Sequence, residues 1–324
     1  MSSGYDFVPL PDAVSRQTRD NNRHDLRLKN FLQVLIEARY VTVEPIHIGA
    51  GSRALQDGNV VRESVRILGR PGIPGSSMRG LLRARFEAIT KSCSISDCPR
   101  PTRLGPNLPS STFPAYDVRF AKSVAMHPVF ERCQKPVLCL SCALFGLMQQ
   151  RSRLSVHDVE TAAGTTFCRE PMPQLFGPRP HHLGTFSVDD HQRCLTVNAL
   201  HGRKFHCNGG PTGPGRSELV EVIPQGTELR AKMSVVNASP VELGALLAAL
   251  GRDPVSVLKV GAGKAHGFGR LEAMRQPAHF SVRIQSPTAS TLATAEEISD
   301  WRAAFTQSSD YWQTGEQALS ALRP

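Results

Sequence analysis

The chain has 324 residues, enough to bury a large core as one elaborated domain or two. Its formal net charge of +10 points to an anionic partner, nucleic acid first, while only 6% aromatic residues argue against a broad base-stacking platform and leave phosphate contacts to carry the affinity. No stretch approaches the roughly 18 uninterrupted apolar residues of a membrane span, and the N-terminus has no apolar signal core, so a cytoplasmic protein is expected, with its eight cysteines as thiols or metal ligands rather than disulfides.

Residues 1–30 carry Arg16, Arg19, Arg23, Arg27 and Lys29 and read as an extended basic arm. FLQVLIEARYVTVEPIHIGAG (31–51) is rich in β-formers and reads as a strand or half a hairpin. The loop 52–64 holds the turn signal Asp57-Gly58, and VRIL (65–68) reads as a short strand. RPGIPGSSMRGLLRARFEAI (70–89) then opens a helix that runs to about Lys91. Ser76 or Ser77 is its expected N-cap. Met78, Leu81, Leu82, Phe86 and Ile89 form its core face, and Arg79 and Arg83 sit four apart on another. Free N–H groups, the dipole, two hydroxyls and two guanidiniums would together suit a phosphate. The plainer reading is a capped amphipathic helix with a solvated basic face.

Residues 92–143 read as an insertion too polar and Pro-rich for a core element. Cys93-x4-Cys98 and Cys139-x2-Cys142 flank it, and two close thiol pairs match structural, tetrahedral zinc, a staple for a segment unable to order itself by burial. Cys133 lies close by and is an alternative to Cys93 or Cys98. RLSVHDVE (153–160) resumes strand character. Its His157-Asp158 is expected to be a strand-end hydrogen bond rather than a catalytic pair. Residues 161–217 read as a second, loop-like insertion with His181-His182 and HGRKFHC (201–207). ELVEVIPQGTELRAKMSVV (218–236) reads as a hairpin turned at Pro224-Gln225-Gly226. Ser239 caps a helix with Pro240 at its first position. SVLKVGAGKAHGFGRLEAM (256–274) is strand, glycine loop and strand. Within it Gly263 brings backbone N–H groups close to a phosphate, and Lys264, His266 and Arg270 supply donors. Thr294 and Glu297 have capping-box spacing for a helix near 295–307 in the 276–324 tail. The order β–α–insert–β–insert–β–α–β implies an α+β, ferredoxin-like (RRM-like) palm with a zinc-stapled and a thumb-like insertion.

HIGAG (47–51), IPGSSMRGLLR (73–83), CLSCALFG (139–146) and GAGKAHGFGRLE (261–272) occur in one order. The set resembles the RAMP superfamily of CRISPR-associated proteins, over roughly residues 40–275. It is most similar to the backbone subunit that multimerises along guide RNA in type III and, in related form, type IV effectors. The resemblance implies one RAMP domain over 31–275, with the insertions at 92–143 and 161–217. It implies one RNA contact at Ser76, Ser77, Arg79 and Arg83, and another at Gly263, Lys264 and His266. Within the thumb-like insertion it points to Arg203 and Lys204. Partners expected by resemblance are guide RNA, a target nucleic acid, further copies of the chain and other effector subunits. Type III relatives cut target RNA with an aspartate between the HIGG-like and IPGSS-like motifs. Here Asp57 sits earlier in that loop than the family pattern places its acid, and Asn59-Val60-Val61 occupies the matching region. A non-cleaving, type IV-like subunit is therefore expected. The alternative is a metal-dependent nuclease using Asp57, or a guide-processing nuclease using a histidine such as His47.

Overall fold

The computed structural model describes residues 4–94, 102–104, 116–174, 184–207, 217–252 and 257–322. The class is mixed α+β, with strands predominating over helices. Its centre is β1 (Leu32–Thr42), eleven residues that alternate so that Val34, Ile36, Ala38 and Tyr40 are buried. β1 runs antiparallel along its whole length to β4 (Glu228–Ala238), from Glu228↔Val41 to Ala238↔Leu32. The other edge of β1 takes β5 (Arg270–Ala273) and then β6 (Phe280–Gln285), both antiparallel. The far edge of β4 takes β2 (Leu154–Val156) and β3 (Val159–Thr161). The segment 153–160 is therefore two short strands, broken at His157-Asp158.

Helix α1 (Gly75–Ile89) and helix α3 (Pro240–Ala249) share one core with this sheet through Met78, Leu82, Phe86, Leu243 and Leu246. The capping box of Ser239 and Glu242 forms as its spacing predicts, and so does that of Thr294 and Glu297 at the start of α4 (Ala295–Thr306). α4 packs on α3 and α5 (Gln313–Ala321) packs on α1, with Trp301, Phe305 and Leu319 buried. The tail is thus part of this chain's own core.

Four other expectations change. Residues 217–222 and 228–238 do not pair with each other. The first strand pairs with Cys168–Pro173 and Asn59–Ser64 in a second sheet, and Pro224–Gly226 is a corner between sheets. The N-terminal residues are a strap rather than an extended arm. Tyr5–Val8 pairs with Arg203–His206, Gln17–Thr18 pairs with Val137–Leu138, and Arg19 Nη2 meets Asp310 Oδ1 at 2.7 Å. The end of the first insertion is core: α2 (Leu140–Phe145) is buried at every residue, and Leu140, Leu144 and Phe145 join the main cluster. The two insertions also share a sheet, since Cys194–Leu200 of the second runs parallel to Tyr116–Phe120 of the first. Among the described residues, no helix is long and apolar enough to cross a membrane.

Candidate nucleic-acid interface and metal centre

Helix α1 begins at Gly75 with Pro74 as N-cap and no side-chain cap, so neither serine has the expected role. Asp158 supplies the cap from outside, its Oδ1 accepting the Gly75 N–H at 2.7 Å. A carboxylate therefore already occupies the positive end of the dipole. Ser76 is exposed and Ser77 half-buried. Arg79 donates to the carbonyl of Phe145, and Arg83 donates to Gly146 O at 3.3 Å and to Glu87 Oε1 at 2.7 Å. Both guanidiniums thus finish the carbonyl end of α2. Burial, then the neighbouring Arg83 charge, pushes the Arg79 guanidinium below its ordinary value.

The glycine loop also spends several of its donors internally. Ala262 N bonds His47 O at 2.9 Å, Gly269 N bonds Pro45 O at 2.9 Å, and His266 N and Phe268 N share Gly263 O. Gly263 is left-handed at φ 72°, and a Cβ there would stand 2.9 Å from Met172 Sδ, so packing as well as conformation demands glycine. Arg270 opens β5 and is half-buried. Of the loop's side chains, that of Lys264 reaches the neighbouring cleft.

Of the predicted set, Ser77, Arg203, Lys204 and Lys264 line one cleft of about 340 Å3, whereas Ser76, Arg79, Arg83, Gly263, His266 and Arg270 are not part of its lining. Ser77 from α1, Arg203, Lys204 and His206 from the strand under the strap, and Lys259 and Lys264 around the glycine loop line it. Lys204 Nζ lies 3.6 Å above the Tyr5 ring. Lys259 pairs with Glu44 at 2.9 Å. Burial, then the Lys259 charge, pushes the Lys264 ammonium down. Burial, then the charges of Lys204, Lys264 and Lys259, lowers His206 to about 4, so its imidazole is neutral at pH 7. Sequence reasoning missed Lys259 and His206. The signal for His206 was its alternation with Lys204 in RKFH, which puts both on one side of a strand.

Across α1, the four-cysteine cluster is formed by Cys93, Cys133, Cys139 and Cys142, all buried, with Sγ atoms within 4.8 Å of one another. Cys133 is the ligand the sequence held as an alternative. Cys98 lies outside the described residues, as do His181 and His182. Cys93 Sγ is 3.8 Å from Cys133, 3.6 Å from Cys139 and 3.3 Å from Cys142. A tetrahedral ion with bonds of about 2.3 Å needs sulfurs about 3.8 Å apart, whereas a disulfide needs about 2.05 Å. The spacing fits a metal ion. The N–H groups of Cys139 and Cys142 point at the sulfurs of Cys133 and Cys139, each at 3.4 Å, which favours thiolates. Ser141, inside the Cys-x2-Cys turn, donates to Glu87 Oε1 at 3.0 Å, and Arg203 reaches Glu87 Oε2 at 2.9 Å. Buried Glu87 therefore joins the cysteine turn to the cleft strand, another residue that sequence reasoning missed.

The remaining candidates lie elsewhere. Asp57 and Gly58 form the tight turn of a hairpin of Gly49–Gln56 and Asn59–Ser64, at φ 50° and 77°. The Asp57 carboxylate is exposed and paired with Arg169 at 2.6 Å. His47 is fully buried, with Nδ1 2.7 Å from Glu221 O, and burial lowers its pKa.

The profile of the RAMP superfamily matches residues 39–272, from inside β1 to inside β5. The chain belongs to the RAMP superfamily. This RAMP protein is accordingly a CRISPR-associated, RNA-binding protein of a group whose members assemble with other CRISPR subunits. No curated protein matches it.

Proposed function

We propose that this RAMP protein is a guide-RNA-binding backbone subunit. Several copies line one guide RNA in the cytoplasm, with other effector subunits, and present it for pairing with a target nucleic acid. The palm is read as ferredoxin-like, because β5, β1, β4 and β2/β3 lie in the order fourth, first, third, second, all antiparallel. The four thiols are read as a structural zinc site that leaves no open position for catalysis.

The observation that carries the RNA reading is the cationic cleft. Three segments far apart in sequence converge there, and Glu44 on Lys259 is the one acid paired to its lysines among the described contacts. A sugar–phosphate backbone would meet Lys204, Lys259 and Lys264 as point charges and donors, which suits binding by shape while base pairing reads sequence. The subunit is read as non-cleaving. A metal at Asp57 would have to displace Arg169, and His47 is too buried to reach a scissile phosphate.

The test is co-expression with the neighbouring genes and a CRISPR array, followed by sequencing of the nucleic acid in the purified complex. Uniform guides carrying spacer sequence are expected. A folded complex without nucleic acid at moderate salt overturns the reading. Metal-dependent cutting of guide-paired RNA that Asp57→Ala abolishes would make it a nuclease instead.

A further inference from the structure

We infer that the RNA track does not end in the cleft. It crosses α1 at Gly80 and continues into a second pocket beside the cysteine cluster, where Arg132 and Met148 hold a further nucleotide of a single strand. This rests on the RNA-binding reading of the cleft. The second pocket has a volume of about 460 Å3 and is lined by Arg83, Arg132, Leu147 and Met148. Gly80, Ala84 and Arg203 line both it and the first cleft, so the two form one groove across the helix.

Gly80 itself has no explanation inside the chain. It lies in the middle of a regular helix, where glycine is less stable than alanine. It is exposed, and a Cβ added there would meet nothing within 4 Å. Neither packing nor conformation asks for glycine, and what its missing side chain provides is clearance over the helix backbone between two cationic pockets. The walls of the second pocket indicate what passes. Arg132 is exposed, while Arg83 and Arg203 are held by Glu87, whose charge they consume. Met148 is 78% exposed beside Leu147, a polarisable apolar surface with no covering in this fold. A guanidinium rim over an apolar wall matches a nucleotide, phosphate to the first and base face against the second.

The experiment uses the full chain and labelled single-stranded RNAs from about two to about ten nucleotides, a range that spans common site sizes. Affinity is measured by anisotropy, with a melting curve for each variant. For the wild type, affinity is expected to rise with length until the groove is filled. In the double variant Arg132→Ala, Met148→Ser the rise stops at a shorter length, and the longest RNA binds about tenfold more weakly. Arg132→Ala alone lowers the slope of log affinity against log salt by about 0.7. Gly80→Leu melts at or above the wild-type temperature yet loses affinity for the longest RNA. Wild-type length dependence in the double variant, or undiminished binding by folded Gly80→Leu, overturns the extension and leaves the cleft intact. A wild type that binds none of the RNAs removes the RNA reading itself.

Discussion

Two sets of cations on and beside α1 look alike as sequence and are used in opposite ways. Arg79 and Arg83 turn toward α2 and bond the carbonyls of Phe145 and Gly146. Lys204, Lys259 and Lys264 turn into the cleft, where burial and mutual repulsion lower Lys264 and, with it, His206. The chemistry of the groups fits the division. A planar guanidinium with five fixed donors can knit several carbonyls, while an ammonium is a compact point charge suited to a phosphate. The lesson is that cations near a helix start fasten the cysteine turn to the palm, and cations brought in from distant segments line the cleft proposed for RNA.

That contrast can be broken in several places. The largest effect is expected at the fastened side. Cys139→Ser should lose the metal by elemental analysis and more than about 4 kcal/mol by urea denaturation, the range of a lost metal site. Cys133→Ser should lower metal content and Cys98→Ser should not. The reverse pattern would replace the ligand set. Glu87→Gln is next. It removes half of a buried charge network and should cost about 3–5 kcal/mol, measured the same way, because Arg203 is left buried and less compensated.

The sharpest comparison pairs Arg79→Ala with Lys264→Ala. Arg79→Ala should cost about 1–3 kcal/mol in stability, since it leaves a buried carbonyl unpaired, and should change RNA affinity little. Lys264→Ala should leave the urea midpoint at or above wild type and weaken RNA binding, with a salt slope smaller by about 0.7. If the two swap effects, the division of labour is wrong.

A smaller effect is expected with pH. His206 has a folded pKa of about 4, below the roughly 6.5 of free histidine. As pH falls the unfolded chain takes up the proton first, so stability is fully present above about 6.5 and declines from there down to about 4. His206→Asn should flatten that part of a stability-against-pH curve. The smallest effect is expected for Asp57→Ala, at an exposed hairpin tip: unchanged assembly and RNA binding, checked by gel filtration and anisotropy.

Much of the local structure was legible. The Ser239 and Thr294 capping boxes, the span of α1 and the alternation of β1 follow from spacing alone, because each depends on neighbours within one or two turns. The thiol cluster was legible in part. A Cys-x2-Cys turn fixes two ligands locally, but which of the remaining thiols completes the set depends on how a long loop returns. The roles of Arg79, Arg83 and Asp158 were not legible, since each bonds a partner more than sixty positions away. Nor was the fate of the 217–238 segment. Its alternation marks two strands, but alternation does not say whether they share a sheet.

The sequence by itself determined the superfamily motifs, the helix and strand periods, the excess of positive charge and a supply of closely spaced thiols. Only the tertiary structure decided which charges remain available to a ligand. A guanidinium or an ammonium carries the same charge wherever it sits in the chain, and its function is set by whether the fold brings a carbonyl or carboxylate to it or leaves it facing a cleft.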